Sequence, residues 1–435
     1  MYIRIKVKFA IISVASILFF IFQVWFLSPW VIDLSKVFGL ALSILIIGGI
    51  AIGPGLLNFF LILSMFFDNQ KDIYTLEKHN PDVSILIAAY NEEKSIYETL
   101  LSLSNQKYDG TMYVYVIDNN SSDNTKYEIL KGIMDFNRSD LVIKYIFEPK
   151  QGKFNALNNA LERVTTEYVI TVDADSWVYR DAISNLVSRM VNDDCVSVAG
   201  ATLARNSRDN LLTKMQEWDY FLSIASVKKM QGLFQGTLVA QGAFSIYDTE
   251  LIKKYGGWED CIGEDIVITW NLLHEGYKVY YEPKAIVFTI VPTEFRVLFI
   301  QRMRWARGMI EGFRRFKPWD FTKNKYVIFL TLIDFAIVYF DFSFVFFFLP
   351  GVVAAFFGYY YIVGIFTLFT LPLNLVCFSI LLIHENNVAF KPMGLKIRKN
   401  YTGYFFFLLI YQVLMSPAAL IGYYNEFLKK KRKWK

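Results

Sequence analysis

Cysteine and histidine are nearly missing from this chain, with three of each among 435 residues. Cys195, Cys261 and Cys377 stand far apart and match no metal-ligand spacing, so neither a disulfide framework nor a zinc site is expected. His79, His274 and His384 are equally scattered, which leaves no histidine-centred metal site. No Gly-x-Gly-x-x-Gly follows an apolar run and no Walker loop is present. A dinucleotide fold and a P-loop phosphate cradle are therefore not indicated. Charge is also missing over long stretches. Val7 to Val31 carries only Lys8, and Val37 to Phe67 carries none. From Tyr326 to Ile383 only Asp334 and Asp341 are charged, and Thr402 to Tyr424 has no charge. Each stretch is long enough to cross a hydrocarbon core of about 30 Å, which takes about 20 helical residues. The first is too long for a cleavable leader and runs directly into a second, so it reads as an anchor.

The expected organisation is two transmembrane helices over 1–67, a polar domain over 68–325, three or four spans over 326–424, and a basic tail over 425–435. Two spans before the polar domain put it on the same side as the basic N-terminus (Arg4, Lys6, Lys8), which is the cytoplasmic side. Residues 350–384 fit one tilted span or two short ones. The even count returns the tail cluster Lys429–Lys433 to the cytoplasm. The odd count places the basic loop Lys391–Lys399 there instead. The two membrane aspartates are expected to face a bundle interior or a water-filled path, because lipid contact is costly. The net charge of +5 lies largely in juxtamembrane segments, which suits membrane lipids of a cell membrane and not nucleic acid.

Within the polar domain, apolar runs of strand length alternate with helical patterns. Val83–Tyr90 reads as a buried strand with Asn91-Glu92-Glu93 opening a helix. Tyr113–Asp118 is a second strand, followed by the turn-forming Asn119-Asn-Ser-Ser-Asp-Asn. Residues 155–163 look helical. Tyr168–Asp173 is a third strand, ending in Asp173-Ala174-Asp175. This βαβαβ order implies an α/β fold with a parallel sheet, and ligands of such sheets bind beyond the carboxyl ends of the strands. Two carboxylates one residue apart at such an end suit a hard cation, Mg²⁺ or Mn²⁺, that completes its shell with phosphates. The plain alternative is a capped turn. Glu264-Asp265 before an apolar helix reads equally as an N-terminal cap. Gln301-Arg-Met-Arg304-Trp305 lies at helical spacing just before the next apolar run. Beside a membrane it is either an anchor or a diphosphate clamp with a sugar-stacking ring.

As an ordered set, Tyr-Asn-Glu, Asp118, Gly152-Lys153, Asp-Ala-Asp, Glu-Asp and Gln-x-x-Arg-Trp resembles the membrane-integrated family 2 glycosyltransferases. Gln-x-x-Arg-Trp is similar to the motif of processive cellulose, chitin, hyaluronan and poly-N-acetylglucosamine synthases. The resemblance implies a cytosolic, Rossmann-like GT-A domain between membrane helices. It implies a UDP-sugar donor, favoured as UDP-N-acetylglucosamine, and a polysaccharide acceptor exported through the membrane helices. By the same resemblance Ala89, Tyr90, Glu92, Asp118 and Lys153 hold uracil and ribose. Asp173 contacts the nucleotide, and Asp175 ligates the metal with Asp173 beside it. Asp265 is the general base, next to Glu264. Gln301, Arg304 and Trp305 flank the diphosphate and the acceptor sugar. Two positions depart from the pattern. Asp118 is followed by Asn119 where a second Asp is usual, and Gly263 stands where Thr is common, a change expected only to alter a cap. Two other readings use the same residues. One is a non-processive transferase with a lipid-linked acceptor, and the other is a transporter or channel with a regulatory nucleotide-binding domain.

Overall fold

The computed structural model describes residues 3–68, 80–397 and 399–430. His79, Arg398 of the basic loop and Lys431–Lys433 of the tail cluster lie outside the described residues. The central domain is built on one eight-stranded sheet in the order β3-β2-β1-β4-β7-β6-β8-β5. The strands are β1 Val83–Ala89, β2 Met112–Asp118, β3 Leu141–Phe147, β4 Tyr168–Val172, β5 Ser176–Val178, β6 Ser197–Ala204, β7 Phe244–Asp248 and β8 Val279–Thr289. β3, β2, β1 and β4 run parallel, while β7 is antiparallel to both β4 and β6. The sheet is therefore mixed.

β1 is apolar but for Ser84 because both of its faces are covered, as in parallel sheets flanked by helices. Its alternate residues feed two cores. Val83, Ile85 and Ile87 pack on one face with Ile96 and Leu100. Leu86 packs on the other with Ala156 and Leu157. β3 was not expected. Its Lys144 and Phe147 are exposed, which suits an edge strand and hides it from a search for unbroken apolar runs. The helix after β1 begins at Ile96, not at Asn91. Asn91 sits at φ 57°, a turn conformation that Asn tolerates, and this delays the helix by one turn.

Among the described residues, Ile5–Phe38, Leu40–Phe66, Lys325–Phe356 and Tyr401–Phe427 are long and apolar enough to cross a membrane. Residues 350–384 divide between the end of the third of these and a further helix, Ile365–Glu385. Leu40–Phe66 and Lys325–Phe356 meet closely because Gly49 and Gly53 present no side chain. A Cβ at either would overlap Ser343 or Phe340. Asp341 faces inward as expected, accepting hydrogen bonds from Ser416 Oγ (2.6 Å) and Tyr423 OH (2.9 Å).

The helix Tyr401–Phe427 rests on the central domain at both ends. Asn400 Nδ2 donates to Lys214 O (2.9 Å), while Glu426 Oε1 accepts from Arg314 (2.8 Å). A buried ionic cluster joins the domain to the other helices. Lys229 Nζ lies 3.0 Å from Glu385 and 3.3 Å from Asp68, with Lys8 also buried nearby. Lys229→Met would leave buried carboxylates short of their cation, at a cost of about 3–5 kcal/mol. The detergent-solubilised variant is expected to melt well below the wild type, and an unchanged melting temperature would show that the cluster is not structural.

Candidate active site

β1 and β2 stop in register, Ala89 opposite Asp118, so the loops that follow them meet at one edge of the sheet. Those loops are tied together. Asn91 N–H donates to Ser121 Oγ (3.0 Å), Ser122 N–H donates to Asn91 Oδ1 (2.8 Å), and Glu92 N–H donates to Thr125 Oγ1 (2.7 Å). Asp118 is buried, with Ser121 N–H on one oxygen (3.0 Å) and Tyr145 OH on the other (3.1 Å). Asn119 explains the departure from a second Asp. Its Oδ1 accepts from Gly152 N (2.7 Å) and its Nδ2 donates to Lys150 O (2.8 Å). An ionised carboxylate cannot donate, so only the amide can pin both sides of the loop that delivers Lys153.

Lys153 Nζ reaches Asp173 Oδ1 at 2.6 Å and Glu264 at 3.9 Å. Burial works against its charge, but Asp173 and Glu264 outweigh it and raise its pKa. Asp175 accepts a hydrogen bond from Thr289 Oγ1 (3.2 Å). Burial, then Asp173 and Glu92, push its carboxyl up to about 7. Asp175 also lines a cleft of about 380 Å³ shared with Glu92, Glu93, Asp123 and Ile290. Negative charge is thus crowded at this edge, and the donors are oxygens only. That set fits Mg²⁺ or Mn²⁺ held on Asp175 and Asp173. Among the described residues no three metal-ligand side chains gather into a ready shell.

Glu264 and Asp265 open the helix Glu264–His274. Burial, then Asp265, push Glu264 up to about 7. Asp265 accepts Ile266 N–H (2.9 Å) on one oxygen and, at 3.3 Å, Gly242 N–H on the other. The preceding loop is held by the helix Phe295–Arg315. Glu311 accepts Ile262 N–H (2.8 Å), and Gly263 lies against Gly308 so closely that a Cβ on either would come within 3.0 Å of the other's backbone. Gly263 therefore does more than alter a cap. It lets two backbones meet.

The Phe295–Arg315 helix carries Gln301, Arg304 and Trp305. Gln301 Oε1 is buried with no hydrogen-bond partner among the described residues. Trp305 is 39% exposed, with Tyr220 edge-on at 6.3 Å and the Arg302 guanidinium 4.2 Å from its ring centre. Arg302 pairs with Asp219 (2.6 Å), which also accepts from Tyr411 OH (3.0 Å). Tyr220 stands within the electrostatic reach of the strand-end acids. Its hydroxyl is pushed up to about 12 by burial, against Arg302 and with contributions from Asp219, Asp175 and Asp173. Of the two arginines in the motif, Arg304 is exposed and Arg302 is the one turned into this acidic pocket. Helical spacing held that signal, since 302 and 305 share a face and 304 and 305 do not. Lys228 had no signal beyond an ordinary Lys-Lys pair. It is buried and donates to Gln241 Oε1. Burial lowers its pKa to about 8 despite the pull of Asp265.

The site therefore brings Asp173, Asp175, Lys153, Glu264 and Asp265 together, while Trp305 packs with Arg302 and Tyr220 beside Asp219. Residues 84–256 match the family model described as Glycosyl transferase family 2. Over 261 residues the chain is 31% identical to Poly-beta-1,6-N-acetyl-D-glucosamine synthase of Staphylococcus aureus, a match covering 58% of this chain and 62% of that protein. The protein of the same name from Staphylococcus epidermidis is 31% identical over 276 residues, covering 62% and 65%. The match thus spans less than two thirds of the length of these relatives. A solved mannosyltransferase from Pyrobaculum calidifontis, in complex with GDP-Man and Mn²⁺, shares the fold. Its TM-score is 0.60 at 19% identity, covering 90% of this chain and 98% of that one. With the strand-end acids and the mixed sheet, these matches identify residues 84–256 as a glycosyl transferase family 2 domain of GT-A-like fold, set between apolar helices.

Proposed function

We propose that this chain transfers a sugar from a UDP-sugar, favoured as UDP-N-acetylglucosamine, to a growing polysaccharide. Transfer inverts the anomeric carbon and is processive, with the product exported through the membrane helices. The catalytic domain faces the cytoplasm of a multi-pass cell-membrane protein. The observation that carries this reading is a juxtaposition. Asp265, the Asp173–Lys153–Glu264 bridge and the Trp305–Arg302–Tyr220 cluster sit around one sheet edge. The names of the staphylococcal relatives support N-acetylglucosamine and a polymer product.

Asp265 stands at a helix N-terminus, with N–H donors on both oxygens that hold it in place. It accepts the proton of the acceptor hydroxyl as that oxygen attacks the anomeric carbon and the bond to the diphosphate breaks. Ala89, Tyr90, Glu92 and Asp118 frame the nucleoside end of the donor. Lys153 and Arg302, with Arg304 on the same helix, bring positive charge to the side where the diphosphate leaves. A divalent ion on Asp175 and Asp173, when bound, neutralises charge on that diphosphate. Gln301 and Trp305 receive the acceptor sugar. The indole face stacks on a pyranose without fixing its hydroxyls, which suits a chain that must slide.

A panel of UDP-sugars offered to the purified protein, with UDP release measured and the product sized, tests the donor and the polymer together. A single-sugar lipid product would replace the polymer reading. Asp265→Asn is expected to lower turnover by about 10²–10⁴-fold while UDP binding survives. Loss of UDP binding would instead mark Asp265 as a cap. Arg302→Met should cost about 10²-fold in kcat, with part restored by Arg302→Lys. An unchanged kcat would leave Arg302 a structural partner of Asp219. Trp305→Ala should stop elongation in folded, UDP-binding protein, and Trp305→Phe should keep part of it. Product of normal length from Trp305→Ala would remove the acceptor role.

A further inference from the structure

The C-terminal half of the Phe295–Arg315 helix and the end of the Tyr401–Phe427 helix enclose a surface cleft of about 410 Å³, away from the strand-end acids. Five cations line it: Arg307, Arg314, Arg315, Lys429 and Lys430. The carboxylates in its lining are Glu311 and Glu426, and Arg315 is also paired with Glu259 outside the lining. Both carboxylates have other commitments. Glu311 accepts Ile262 N–H, and Glu426 is shared between Arg307 (3.2 Å) and Arg314 (2.8 Å). The arginines also cap the helix end. Arg307 donates to Lys430 O (2.8 Å), and Arg314 donates to Glu426 O (2.6 Å). Capping explains why two guanidinium groups are there, but it requires neither an open cleft nor the further cations Lys429 and Lys430, which are exposed.

We propose that this cleft binds a phosphate-bearing anion, and that its source is the headgroup of an anionic phospholipid. Two observations favour the lipid over a free phosphate. Tyr424, Phe427 and Leu428 are 60%, 67% and 52% exposed on the turn that delivers Lys429 and Lys430, so apolar and aromatic groups border the cations as they do at a bilayer surface. The apolar helix that ends here also begins on the same domain, through Asn400 and Lys214, so its basic end stays on the domain's side of the membrane. An occupied cleft would press on Glu311 and through it on the loop before Asp265.

The test reads binding, not turnover, so it stands or falls apart from the proposed activity. The full-length protein is exchanged into detergent with phosphatidylglycerol and phosphatidylcholine, and lipid retention is measured by native mass spectrometry. Wild type should retain phosphatidylglycerol selectively. Lys429→Gln with Lys430→Gln should retain about fivefold less for each lysine replaced, and Lys429→Arg with Lys430→Arg should behave as wild type. A second arm adds inorganic phosphate to protein in phosphatidylcholine alone and follows the melting temperature. A phosphate-dependent rise in wild type that the glutamine variant loses, without phosphatidylglycerol retention, supports the site and assigns it to a free phosphate. Equal lipid retention by wild type and the glutamine variant, with no phosphate-dependent rise, overturns the proposal.

Discussion

Crowded negative charge at the end of β4 is the constraint on which the rest of this structure depends. Asp173, Asp175, Glu264 and Asp265 converge from separate elements on a partly buried edge. Carboxylates placed this way repel one another and pay for lost hydration. The fold answers with one fixed cation, Lys153 between Asp173 and Glu264. It leaves Asp175 with little more than a hydroxyl, which is why burial and its neighbours push it up to about 7. The cation and diphosphate proposed for this edge would relieve that tension.

That requirement explains the supporting parts. Asn119 gives up the charge of a second aspartate to hold the loop of Lys153 from both sides. The Phe295–Arg315 helix braces the loop before Asp265 through Glu311 and Gly308 and presents Trp305 on its other turns. Lys229, next to Lys228 on the helix Ser226–Leu233, fastens that helix to Asp68 and Glu385. The domain is therefore anchored to the apolar helices close to its reacting groups.

Much of this was legible in the sequence, for physical reasons. β1, β2 and β4 are buried on both faces, so they appear as unbroken apolar runs, and their polar ends mark the site. β3 was not legible, because an edge strand needs only one covered face and Lys144 interrupts it. β5 to β8 pair across long sequence separations and carry no local mark of that pairing. The acids at strand ends and the helical motif ending in Trp305 were visible as patterns. Arg302 was visible only through helical spacing, and Lys228 not at all, since its burial is a tertiary fact. The apolar helices announced themselves by missing charge. What composition could not show is that Tyr401–Phe427 has both ends on the central domain.

The contact between Gly263 and Gly308 acts as a gauge block. It joins the loop that ends in Asp265 to the helix that carries Trp305, backbone against backbone, with no side chain that could adopt a second rotamer. The spacing between Asp265 and Trp305 therefore has no side-chain spacer at this point. Any change in that spacing has to come from the groups packed around Trp305, because the joint beneath them is backbone on backbone.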